Sequence, residues 1–79
     1  MIAIPQLDQR IASADVCRHA IESALKAVRT ARAEAALSSN PSINATLRRS
    51  EASLLEARGE ANAHHRRLTH KARKEAAHV

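Results

Sequence analysis

Ser38-Ser39-Asn40-Pro41-Ser42 is the stretch that decides the fold. It separates two long runs of residues spaced alternately by three and four, the pattern that lines one edge of an α-helix. Before it, positions 7, 11, 14, 18, 21, 25, 28, 32 and 35 read Leu, Ile, Ala, Arg, Ile, Leu, Val, Arg and Ala. After it, positions 43, 47, 50, 54, 57, 61, 65, 68, 72 and 79 read Ile, Leu, Ser, Leu, Ala, Ala, His, Leu, Ala and Val. Asn is a favoured N-cap and Pro a favoured first helical residue, so Asn40-Pro41 restarts a helix. The spacing predicts a first helix over about 5–37, a turn at 38–41 and a second helix over about 41–77. So short a connection makes the two helices antiparallel. The expected fold is all-α, a single antiparallel two-helix hairpin occupying residues 1–79.

Working outward, a fold about residue 39 or 40 makes residue i a neighbour of roughly 79 − i. That register sets Leu25 beside Leu54, Ile11 beside Leu68 and Ala36 beside Ile43. The expected seam comprises Ala14, Cys17, Ala24, Leu25, Val28, Ala31, Leu47, Leu54, Ala61 and Leu68. Pro5 suits the first turn of a helix, and Asp8 just after it complements the positive helix end. Three copies of Ala-Arg-x-Glu-Ala, starting at Ala31, Ala57 and Ala72, stand at unequal intervals and define no solenoid.

The seam is thin. Of the 44% apolar residues in this 79-residue chain, 18 are Ala, and none is Phe, Trp or Tyr. One Cys excludes an internal disulfide, so the remaining way to bury more surface is association with another chain. In the first helix the apolar arc widens to one side through Cys17, Ala20, Ala24, Ala31 and Ala35. One neighbouring helix cannot cover an arc of that breadth. A homodimer is expected, most simply an antiparallel four-helix bundle made from two hairpins.

The second helix loses bulk toward its end, where Leu68 and Val79 are the only large aliphatics after Leu55. Opposite them lie Leu7, Ile11, Val16 and Ile21, while Val16 and Leu55 fall off their stripes. Leu7, Ile11, Val16, Ile21 and Leu55 are therefore the candidates for contact with a different protein. Arg18 and Arg32 occupy seam positions, either reaching out to water or fixing register through ion pairs.

Charge is lopsided. Residues 1–37 carry five Lys/Arg against four Asp/Glu, and residues 38–79 carry eight against four. Arg66, Arg67, Lys71, Arg73 and Lys74 face only Glu75 in the last stretch and point away from the Leu68-Ala72-Val79 stripe. Such a surface suits an acidic protein or a phosphate backbone, though cations near a helix C-terminus also stabilise its dipole. The missing aromatics exclude base stacking, leaving backbone or groove recognition as the route to nucleic acid. His64 and His65 project about 100° apart, and no i, i+4 pair or completing acid makes a metal site. Cys17 is placed within a turn or so of both. No Gly-rich loop, nucleophile–base set or carboxylate pair suggests catalysis, and no cofactor is implied.

No segment approaches the ~20 apolar residues needed to span a bilayer. Met1–Pro5 is too short for a secretory signal, and a lone Cys fits a reducing compartment, so the expected location is cytoplasmic. The function expected is that of a small non-enzymatic regulator or inhibitor of another protein, a type common among phage and mobile-element products. The alternative is a basic nucleic-acid-binding dimer. Its paired hairpins would be similar in architecture to the Rop family, which implies recognition of RNA helices, although no Rop motif is present.

Overall fold

The computed structural model describes the backbone of residues 3–77 and the side chains of residues 6–77. Helix α1 spans Ala3–Ser38 and helix α2 spans Pro41–Ala77. They pack antiparallel as a hairpin, a rod of 60 × 15 × 14 Å. Helix α1 begins two residues earlier than its spacing suggested, which leaves no acid in its first turn. Asp8 thus sits beyond the reach of the helix dipole, which fades within that turn. Val79, the last residue of the expected stripe, lies outside the described residues.

Only Ser39 and Asn40 separate the helices. Ser39 takes the left-handed backbone conformation, φ 54°, that often ends a helix at this position. Its N–H donates to the Ala36 carbonyl at 3.4 Å, and the Ser38 hydroxyl donates to the Ala35 carbonyl at 2.9 Å. Two of the four carbonyls left over at the end of α1 are thereby partnered. Asn40 then caps α2: its Oδ1 accepts from the Ile43 N–H at 3.1 Å, and its carbonyl accepts from the Asn44 N–H at 3.0 Å. Removing the cap by Asn40→Ala is expected to cost about 1 kcal/mol. Ser39→Gly, which relieves the side chain of a left-handed backbone, is expected to gain about 1 kcal/mol. Chemical denaturation of the two variants checks both signs.

Every position of the α1 stripe from Leu7 to Ala35 is buried or half-buried. On α2 the same holds for positions 47, 50, 54, 57, 61, 65, 68 and 72. The buried set is short: Leu7, Ala14, Leu25, Ala35 and Leu68. At the open end Leu7, Ala14 and Leu68 pack together with Ile11 and Ala72 against them. Leu25, 1% exposed, anchors the middle.

The closed end departs from the simple register. Ala36 and Ile43, expected to face each other, are both exposed, and Ala35 is buried instead. So tight a turn leaves Asn44 and Ala45 half-buried at the start of α2 and swings Ile43 onto the flank. Among the described residues, no helix is long and apolar enough to cross a membrane.

Candidate interaction surfaces

The two flanks of the hairpin differ in chemistry. On α1, the residues 15, 19, 22, 26 and 29 beside the seam are Asp, His, Glu, Lys and Arg. The cross-helix ion pairs among the described residues gather on this flank. Arg58 Nη1 meets Glu22 Oε1 at 3.3 Å, and Arg29 Nε donates to Glu51 Oε2 at 2.8 Å, while Arg32 pairs with Glu51 Oε1. Both Arg29 with Glu51 and Glu22 with Arg58 obey a partner of 80 − i, one step from the register the apolar layers imply.

Arg18 forms the second node. Its Nε donates to Asn62 Oδ1 at 3.1 Å and its Nη1 to Asp15 Oδ1 at 3.0 Å. The same Nη1 lies 3.2 Å from His65 Nδ1. A guanidinium can only donate, so Nδ1 accepts and the ring hydrogen belongs on Nε2, which faces Asp15 Oδ1 at 3.9 Å. His19 adds Nδ1 to the Asp15 carbonyl at 2.8 Å. Both seam arginines therefore reach the edge and are paired there, with Arg18 36% and Arg32 41% exposed. Pairs this exposed stabilise the fold only weakly. Their geometric role is to fix which residues face which.

Glu51 is the exception in exposure, its side chain only 13% accessible beneath two arginines. Hydrogen bonds from Arg29 and then Arg32 hold its carboxyl below the ordinary value of 4.5. A depressed carboxyl stabilises the folded chain above its unfolded pKa, and that contribution disappears as pH falls through the folded value. Wild-type protein is therefore expected to lose an increment of stability on acidification below about pH 4.3. Glu51→Gln should lack this increment, so the gap between the two unfolding midpoints should be widest at neutral pH and narrow as pH falls below the ordinary carboxyl value.

The opposite flank carries Ser13, Cys17, Ala20, Ala24, Ala27 and Ala31 on α1. None is charged. A surface depression lined by Gln6, Gln9, Arg10, Ser13 and His64 shows that this flank of α1 shares its side of the hairpin with His64 of α2. Cys17 is exposed here rather than set in the hairpin seam. His65 faces Arg18 on the other side, so Cys17, His64 and His65 do not converge. Among the described residues no group of three or more His, Cys, Asp or Glu is placed to hold a metal ion.

The basic residues Arg66, Arg67, Lys71, Arg73 and Lys74 are all exposed at the open end of the rod. None of them forms an ion pair among the described residues, in contrast to Arg18, Arg29, Arg32 and Arg58. Glu75 is half-buried against the seam and does not interrupt the cationic face.

The apolar candidates are placed differently from expectation. Leu7 is 6% exposed and belongs to the core, and Ile11 and Ile21 are half-buried in the seam. Ala14 and Ala72 explain the correction: small residues let the helices approach, so Leu7 and Leu68 interdigitate and the thin end of α2 suffices to cover them. Val16, 69% exposed, and Leu55 remain on the surface. They are joined by Leu37, 81% exposed, and Ile43 at the closed end, neither of which the sequence singled out. Glu51 was also missed. Its signal was present in the unpartnered seam position of Arg32, which demanded an acid within one turn on the facing helix.

No protein-family model, curated protein or solved structure matches this chain.

Proposed function

We propose that this protein is a non-enzymatic interaction module, a homodimer of helical hairpins that binds and modulates another protein through its basic open end. The supporting observation is the distribution of partners among its cations. Four arginines along the rod are ion-paired and Arg10, Lys26, Arg48 and Arg49 stand exposed without an ion pair among the described residues, but only residues 66–74 gather five such cations on one stretch of helix. A like-signed face on a rigid helix raises the encounter rate with an oppositely charged surface. Exposed Val16 and Leu55 offer small apolar footholds beside the rod, but the strongest feature is electrostatic. The partner is accordingly an acidic protein surface, and the action is regulatory or inhibitory.

The same cations support a second reading, in which the dimer follows the phosphate backbone of a nucleic acid. Affinity purification from native cells with and without nuclease, read by mass spectrometry, separates the two. Capture of one acidic protein that survives nuclease supports the first reading. Recovery of nucleic acid alone, with binding that falls steeply as salt rises, overturns it in favour of the second.

A further inference from the structure

We infer that the uncharged flank of α1 is the face on which a second copy of this chain packs, antiparallel, about the level of Glu22; this deepens the dimeric reading above and rests on it. Ser13, Cys17, Ala20, Ala24, Ala27 and Ala31 follow one another at steps of four, three, four, three and four. That series reads the same in both directions. Turned about a two-fold axis at residue 22, it sets Ser13 on the partner's Ala31, Cys17 on the partner's Ala27 and Ala20 on the partner's Ala24. A two-fold interface must be self-complementary in this way. The charged flank, with Asp15, His19, Glu22, Lys26 and Arg29, shares the same helical spacing, but Asp15, Glu22 and Arg29 are already engaged with α2.

The exposed surface is sufficient for such an occupant. The chain exposes 5908 Å², whereas a compact monomer of its 8.6 kDa exposes roughly 4,700 Å². The excess, roughly 1,200 Å², is more than the ~800 Å² per partner removed by an interface of standard size. Small side chains along the stripe let the two α1 backbones approach closely, which favours another copy of the same smooth helix over a partner with bulky anchors.

Charge selects the direction. A parallel pair would bring the cations of residues 66–74 of both copies together at one end. In the antiparallel pair, Lys71 and its counterpart stand about 40 Å apart along the bundle, several times the ~10 Å screening length at 0.1 M salt. Both cationic ends then remain free.

Cys17 supplies the test. In this arrangement the two Cys17 residues lie about 15 Å apart along the axis, too far for a disulfide. A thiol introduced by Ala27→Cys faces Cys17 of the other copy, while within one chain it is equally distant. Oxidation of the Ala27→Cys protein should give a covalent dimer in high yield. The wild type and an Ala33→Cys control on the charged flank should not, with all three checked for equal helicity. Light scattering of the wild type should give twice the chain mass. A dimer by mass whose Ala27→Cys variant links no better than the control would overturn this face while leaving the dimeric reading intact. A single-chain mass at 100 µM (roughly the range of weak dimers) would overturn both.

Discussion

Truncating Leu25 to Ala is expected to lower the thermal midpoint of the hairpin by roughly 10–25 °C, read by far-ultraviolet circular dichroism. Leu25 is 1% exposed, and its side chain is the largest that the seam encloses completely. Removing three carbons from such a site forfeits their transfer free energy and leaves a cavity, together about 3 kcal/mol. A chain of 79 residues has in total about 4–12 kcal/mol of stability, so one truncation consumes a large share. The seam holds few residues to spread the loss. Leu37→Ala is the control, because a side chain 81% exposed contributes little to the folded state. Equal losses at the two positions would contradict the packing described here.

Replacing Arg66, Arg67, Lys71, Arg73 and Lys74 together by Glu takes the formal net charge from +5 to −5. Association with an acidic partner is expected to slow by about 10–1000-fold at low salt, with a smaller effect at high salt. The Glu variant also introduces repulsion beside Glu75 and opposes the dipole at the end of α2, where Lys74 lies in the last turn. The same five positions changed to Gln remove the charge without adding that repulsion. An intermediate slowing in the Gln variant, with helicity retained, assigns the effect to steering. Unchanged association rates in both variants would remove the open end from the function.

The hairpin was legible in the sequence because backbone chemistry and periodicity spoke together at one place. Asn40-Pro41 announces a helix start in its own residues, and the stripes keep their spacing from 7 to 35 before it and from 43 to 72 after it. What could not be read was the behaviour of small residues. Leu7 looked surplus because bulk was counted on the opposing helix, whereas Ala14 and Ala72 act by shortening the distance between backbones. Ile43 looked like seam because periodicity carries no information about how a two-residue turn rotates the helix that follows it. The ion pairs were half visible. Seam arginines at 18 and 32 signalled that acids must be near, but the choice of Glu51 and Asp15 depends on a register known only to within a few residues from sequence.

The tight Ser39-Asn40 connection also sets an order of assembly. Contacts beside it close the shortest loops and lose the least chain entropy, so Arg32 can find Glu51 long before Leu7 can find Leu68. Folding is then expected to begin at the capped turn and to reach the chain ends last. The buried cluster of Leu7, Ala14 and Leu68 is thus the last to close, and once closed it clamps the far end of the rod and holds the cations of residues 66–74 in place.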